Sequence, residues 1–203
     1  MRVYNHNNKK YISVTSVIDL MYPFNRKGFE GWARRSGYDP AWIMSRSSSV
    51  GRKVHGWVED MHHGVFDLRE PATDDTEQGL YYATLDFLED WYIVDSEFVV
   101  YNDKWRYAGR VDMIIENDKG DRYYGDIKTW GAWRSSTKPP SSKKLKKVRN
   151  QLTMYKEADN GDIGIGVVHI KKDGYEFIEL EEDYKWQKCM EEKQDKINSI
   201  IDL

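Results

Sequence analysis

Two aspartates and one lysine carry the strongest chemical signal in this sequence. Asp112 sits in GRVDMII, and Asp126 and Lys128 sit in YYGDIKTW. Strand side chains alternate with period two, so Asp126 and Lys128 share a face while Ile127 turns away. The turn residues Asn117-Asp118-Lys119-Gly120 separate the two segments. That spacing predicts that Asp112 and Asp126 meet across neighbouring strands. Two carboxylates brought together repel unless a proton or a cation sits between them. A hard divalent ion, Mg²⁺ or Mn²⁺, with oxygen ligands and retained waters suits such a pair. A lysine beside that ion could orient or help deprotonate a bound water, or stabilise charge on a phosphorane. The chemistry this points to is phosphodiester hydrolysis.

The D-x-K spacing has little weight alone. Asp183-Tyr184-Lys185 repeats it, and Glu191-Glu192-Lys193 repeats its glutamate version. Both fall in a charged C-terminal segment, where a surface helix explains them. Only Asp126-Ile127-Lys128 ends a β-rich run with a G-x-x-D, Gly109 to Asp112, upstream of it. The competing explanation is a surface ion pair of small energetic worth.

The elements that must position these residues are readable from periodicity. Val50, Val54, Trp57, Val58 and Met61 form one face of a helix, with Ser49 as its expected N-cap and Gly64 as its stop. A second helix is expected over TDDTEQGLYYATLDFLEDWY, capped at Thr73 or Asp74. EFVVY (97–101), WRYAGRVDMII (105–115) and DRYYGDIKTW (121–130) are rich in aromatic and β-branched residues, which predicts three antiparallel strands in a meander. Leu145, Val148, Leu152 and Tyr155 mark a further helix. IGIGVVHI (163–170) and YEFIEL (175–180) read as two more strands, followed by one charged helix from Asp183. The fold class is therefore α/β, a mixed central sheet of about five strands flanked by helices. One domain is expected over residues 1–203: mainly helical through 95, sheet and helix over 96–182, and a C-terminal helix over 183–203.

Composition narrows the function classes. Charged residues make up 32% and the hydrophobic set 39%, and no apolar run approaches a membrane span, so no membrane partner is expected. MRVYNHNNKK opens the chain without an apolar run behind it, so no signal peptide is expected. The single cysteine, Cys189, excludes a disulfide framework, a cysteine-built zinc site and a four-cysteine iron–sulfur cluster. It suits a reducing, cytoplasmic compartment.

The net charge of −3 hides an uneven distribution. From Gly131 to Lys156 the chain carries Arg134, Lys138, Lys143, Lys144, Lys146, Lys147, Arg149 and Lys156 with no acid. A field of that size attracts a polyanion, although a solvated loop is the plainer explanation. Trp130, Trp133 and Tyr155 flank it, and aromatic faces beside lysines are what a single strand needs for stacking. His55, Glu59 and His62 share one helix face. They could form a separate zinc site, lend His55 to the aspartate site, or be surface residues.

The ordered series G-x-x-x-H (Gly51 to His55), Glu97, G-x-x-D (Gly109 to Asp112), D-x-K (Asp126 to Lys128) and Q-x-x-x-Y (Gln151 to Tyr155) resembles the PD-(D/E)XK nuclease superfamily. In particular it is similar to the RecB-like exonuclease branch, among members without an iron–sulfur cluster, such as virus-encoded and mitochondrial genome maintenance exonucleases. The resemblance covers about half the chain. It implies a restriction-endonuclease-like core and an Mg²⁺ or Mn²⁺ ion held by Asp112, Asp126 and the carbonyl of Ile127, with His55 reaching the same ion. It makes Lys128 the catalytic lysine and places Glu97 near the metal. It gives Gln151 and Tyr155 a role in contacting nucleic acid or supporting Lys128, beside Trp133 and the basic residues 134–149. The implied activity is metal-dependent DNA hydrolysis, first as an exonuclease on single strands or DNA ends. Nicking or junction-resolving endonuclease action, RNA cleavage, a homodimer and a catalytically silent nucleic-acid-binding protein stay open.

Overall fold

The computed structural model describes residues 1–65, 71–132 and 138–201. The fold is mixed α/β with two sheets. The expected calls on Trp133 and Arg134 fall outside the described residues.

The chain opens with a hairpin, β1 (Val3–His6) and β2 (Lys9–Ser13), joined through Asn7 and Asn8 at φ 47° and 60°. Asparagine tolerates the left-handed region, so Asn-Asn can close a two-residue turn. This hairpin is a strand pair that the mainly helical reading of residues 1–95 did not include. Next come α1 (Val14–Met21), α2 (Arg26–Arg35) and α3 (Pro40–His62). The cap of α3 is Asp39, whose carboxylate accepts from the Ala41 N–H, with Pro40 in the first turn. Ser49 is therefore mid-helix rather than a cap. Its serine-rich stretch stays helical because Ile43 and Val50 keep the buried stripe continuous.

Helix α4 (Asp75–Asp90) starts as expected at Asp74, which accepts from the Glu77 N–H. It stops at Asp90, and Trp91 begins β3 (Trp91–Ser96) rather than extending the helix. Glu77 is 1% exposed and receives Arg46 and Lys53 from α3 and the Thr73 hydroxyl. Burial pushes its carboxyl up, but hydrogen bonds from Lys53, Thr73 and Arg46 override this and hold it at about 2. The stability this contributes is complete above the ordinary glutamate range and is lost as pH falls toward about 2. Glu77→Gln is expected to lower unfolding free energy near neutral pH by about 2–3 kcal/mol. Urea melts across that acid range would check it, since the variant should lose less stability than the native protein there.

The remaining strands are β4 (Val99–Asn102), β5 (Tyr107–Arg110), β6 (Met113–Asn117), β7 (Arg122–Lys128), β8 (Gly164–Lys171) and β9 (Gly174–Leu180). The expected three-strand meander is in fact split. WRYAGRVDMII is two strands: β5 pairs with β4 and β2 in a four-stranded sheet, while β6 pairs with β3 and β7 in a five-stranded one. The chain changes sheet at Val111-Asp112, beside the change between β3 and β4 at Glu97-Phe98. Two backbone bonds tie these crossings, Glu97 N–H to Asp112 O at 3.1 Å and Val111 N–H to Phe98 O at 2.9 Å.

Helix α5 (Ser142–Asp159) carries the chain from β7 to β8, which run parallel. A parallel pair needs such a crossover. The C-terminal segment is two helices, α6 (Lys185–Glu192) and α7 (Gln194–Ile201), correcting the single helix expected there. Each bends its own apolar residues, Trp186 and Met190 or Ile197 and Ile201, into the core. The five-stranded sheet divides the core. Tyr124, Ile165 and Val167 face a cluster with Val148 and Leu152 of α5, whereas Ile127, Val168 and Ile170 face Val54 and Trp57 of α3 and Phe87 of α4. Among the described residues no helix is long and apolar enough to cross a membrane. Cys189 is free and buried.

Candidate active site

Asp126 sits on β7 with its side chain on the α5 side of the sheet, and Ile127 turns toward α3, as period-two alternation requires. The pairs Met113↔Gly125 and Ile114↔Tyr124 set the β6–β7 register. One step further along that register puts Asp112 opposite Asp126. Asp112 is not inside a strand; it stands at the seam where the two sheets part. A strand position would have buried its backbone in a ladder, whereas the seam leaves it facing a cleft of about 1080 Å³. The cleft is also lined by His55, Glu97, Arg110, Lys128 and Trp130.

Lys128 forms an ion pair with Asp126 and donates to the Ile127 carbonyl at 3.3 Å. Gln151 of α5 donates to Asp126 Oδ1 at 3.2 Å. His55 of α3 has Nε2 3.2 Å from the same Ile127 carbonyl and Nδ1 3.8 Å from Asp112 Oδ2. The structure thus places Asp112, Ile127, Lys128 and His55 at one corner of the cleft, with Asp126 buried behind them in contact with Lys128. Burial, then the neighbouring Asp126 charge, hold the Asp112 carboxyl well above the usual carboxylate range. Burial and the Lys128 charge push the His55 imidazole down. Burial also works against the Lys128 ammonium, but Asp126 and Asp112 outweigh it and raise its pKa, so Lys128 is a cation at neutral pH.

These groups fit a hard divalent ion. Two carboxylates and a carbonyl supply oxygen donors, and the Asp126 charge that helps raise the Asp112 carboxyl is a repulsion that a cation between the two acids would relieve. Among the described residues no three His, Cys, Asp or Glu side chains form a cage by themselves. The carbonyl and solvent must complete the shell, as Mg²⁺ chemistry allows. The absence of such a cage among the described residues holds for His55, Glu59 and His62 too. Glu97 lines the cleft with φ at 56°, and its carboxylate pairs with Arg110 at 2.7 Å. Such a backbone costs about 1–3 kcal/mol and persists where its surroundings over-determine it. Burial raises the Glu97 carboxyl, against the pull of Arg110.

Tyr155 is 3% exposed, so of its two expected roles, contacting nucleic acid or supporting Lys128, its side chain is not placed for the first. Its hydroxyl accepts from Gln151 at 3.3 Å, so it positions the amide that holds Asp126. Its ring covers Gly109: a Cβ there would come within 2.4 Å of Tyr155 and 3.0 Å of Val14. The glycine of G-x-x-D and the tyrosine of Q-x-x-x-Y are therefore one packing unit. Gly109→Ala is expected to cost about 1–3 kcal/mol by overpacking. Gly51→Ala, whose methyl would meet Thr129 Oγ1 at an ordinary 3.7 Å, is expected to hold or raise the melting temperature. Paired thermal melts distinguish the two glycines.

The basic residues divide. Lys144 lines the cleft, with its ammonium 5.6 Å from the Trp130 ring centroid. Lys138, Lys143 and Lys146 are exposed. Lys147 pairs with Asp19 at 2.9 Å on a second groove of about 400 Å³ between α1 and α5. Arg149 is half-buried, with its Nε shut from solvent. Sequence reasoning missed His169, fully buried on β8 opposite Lys128, whose Nε2 lies 3.3 Å from the Trp130 carbonyl. It also missed Phe29 and Trp32 of α2, which line the cleft. Their interleaving with arginines in RKGFEGWARR was the available signal.

No family model matches the chain, and no curated protein matches it. Solved structures do. The crystal structure of SSO0001 aligns over 96% of this chain and 77% of its own, with 19% identity and a TM-score of 0.49. LHK-Exo in complex with dAMP aligns over 95% of this chain and 90% of its own, with 11% identity and a TM-score of 0.48. One structural neighbour is thus an exonuclease by name. At these scores neither likeness bears on this chain's chemistry.

Proposed function

We propose that the protein is an Mg²⁺- or Mn²⁺-dependent deoxyribonuclease of the PD-(D/E)XK type, acting as an exonuclease on single strands or DNA ends. The observation that carries this reading is the meeting of Asp112, the Ile127 carbonyl and Lys128 at one corner of a wide cleft, with Asp126 buried directly behind them against Lys128. Asp112, Asp126 and the Ile127 carbonyl would hold the ion, with His55 alongside. A bound divalent ion supplies a reactive water at neutral pH and neutralises phosphate charge. The chain's own residues do the rest. The Lys128 ammonium, cationic as it stands, stabilises negative charge developing on the phosphate rather than serving as a base. Gln151 aims Asp126, and Tyr155 holds Gln151. His55 orients the Ile127 carbonyl.

The test is a cleavage assay with Mg²⁺ or Mn²⁺ on linear and circular DNA, each labelled. Degradation of linear DNA that EDTA stops is the expected result. Cleavage of closed circles would replace the exonuclease with an endonuclease. DNA binding without turnover in either metal would make the protein a catalytically silent binder.

A further inference from the structure

A second group of interleaved aromatic and basic side chains covers α2 and the start of α3, and the catalytic corner uses none of it. From Phe24 to Lys53 the chain carries seven Lys or Arg against two acids, Glu30 and Asp39, although Arg46 and Lys53 are matched by Asp74 and Glu77 of the neighbouring segment. Phe24 is 61% exposed, Tyr38 41% and Trp42 49%. The rings are ordered rather than scattered. Phe24 lies 5.6 Å from Phe29, and Phe29 lies 5.9 Å from Trp32. Tyr38 stacks on Trp42 at 6.3 Å with an interplanar angle of 11°. Phe29 and Trp32 also line the catalytic cleft, so the first series runs from the open surface to the cleft wall.

Local structure explains part of this. Phe24 and Phe29 flank the Asn25 cap at the spacing of a hydrophobic staple, which fixes how the chain enters α2. A staple does not require Tyr38 and Trp42 to be exposed, nor does it require the cations. Arg26 and Arg34 pair with Glu30. Lys27, Arg35 and Arg52 have no carboxylate partner among the described residues and are exposed. Exposed ring faces beside unneutralised cations match a ligand that offers flat bases and phosphates together. A duplex keeps its base faces stacked inside, so the rings give it no added affinity. An unpaired strand offers both features.

We propose that α2 and the start of α3 form a landing surface for single-stranded nucleic acid, leading the strand to the cleft past Phe29 and Trp32. Its purpose rests on the nuclease reading of the cleft, but its existence does not. The probe is a fluorescein-labelled oligo-dT followed by anisotropy in EDTA, alone and annealed to its complement. The variant combines Phe24→Ala, Lys27→Glu and Arg35→Glu, all at exposed positions, with circular dichroism to verify its fold. The expected result is a loss of at least about tenfold in single-strand affinity, a shallower salt dependence, and a smaller loss for the duplex. A second variant, Trp42→Ala, is expected to weaken single-strand binding alone. Unchanged single-strand affinity in both variants overturns the surface, as does an equal loss for single and double strands. Binding of phosphatidylserine vesicles in place of oligo-dT also overturns it. If the binding losses appear but the native protein cleaves no DNA, the surface stands and the nuclease reading falls. If cleavage occurs and both variants bind as the native protein does, the reverse holds.

Discussion

Lys128→Ala is expected to reduce metal-dependent DNA cleavage by about 10³-fold while leaving DNA affinity within a few-fold of native. Lys128 is the cation nearest the paired aspartates, and its ion pair with Asp126 keeps it charged and aimed. Alanine removes the charge that would meet the developing phosphorane. It leaves Asp126 held by Gln151, and the cleft's other cations, Arg52, Lys53, Arg110 and Lys144, in place. The loss should therefore appear in single-turnover rate rather than in binding. Lys128→Arg is expected to recover only part of it, because a guanidinium keeps the charge but not the compact geometry of an ammonium. Cleavage by Lys128→Ala at the native rate would remove Lys128 from the chemistry. A fall in affinity as large as the fall in rate would make it a binding residue instead.

Removal of the divalent ion is the second large effect. With Mg²⁺ or Mn²⁺ well above its dissociation constant, the native protein is expected to melt about 5 °C higher than in EDTA. Asp112→Asn is expected to abolish that difference together with cleavage. Asp112 sits half-buried beside Asp126, and its carboxyl is held above its unfolded value. A carboxyl raised in this way favours the folded state below its unfolded pKa, and that contribution is lost as pH rises toward the folded value. Asparagine keeps the hydrogen-bonding shape and removes the ionisation. In EDTA near neutral pH the variant should therefore be as stable as native protein or more so. Differential scanning calorimetry in EDTA and in each metal measures both outcomes. An equal metal-dependent shift in native and variant protein would show that the ion binds elsewhere.

The glycine comparison bears on how motifs of this kind should be understood. Gly109 and Tyr155 are separate letters in separate motifs, yet in three dimensions one exists to accommodate the other. Gly51, equally prominent in the sequence, has room for a methyl group. It lies on the α3 face that lines the cleft, and no close packing there requires a glycine.

Much of this molecule was legible in one dimension. Period-two alternation placed Asp126 and Lys128 on one face and Ile127 on the other, because a strand's geometry is local. Cap and turn chemistry located the start of α4 at Thr73-Asp74 and the β8–β9 hairpin at Lys172-Asp173-Gly174 for the same reason. The uneven charge also declared itself, since counting needs no coordinates. What required the tertiary structure was non-local. The break of WRYAGRVDMII between two sheets leaves no mark in its composition, because each half is equally strand-like. Only the competition of β2, β4, β3 and β7 for pairing partners decides that Asp112 stands at a seam. Tyr155 looks like any helix-face residue until β5 is seen beneath it. The aromatic surface of α2 became meaningful only when Phe29 and Trp32 were found on the wall of the same cleft. Local backbone geometry is encoded within a few residues, whereas side-chain neighbours are set by the packing of segments far apart in the chain.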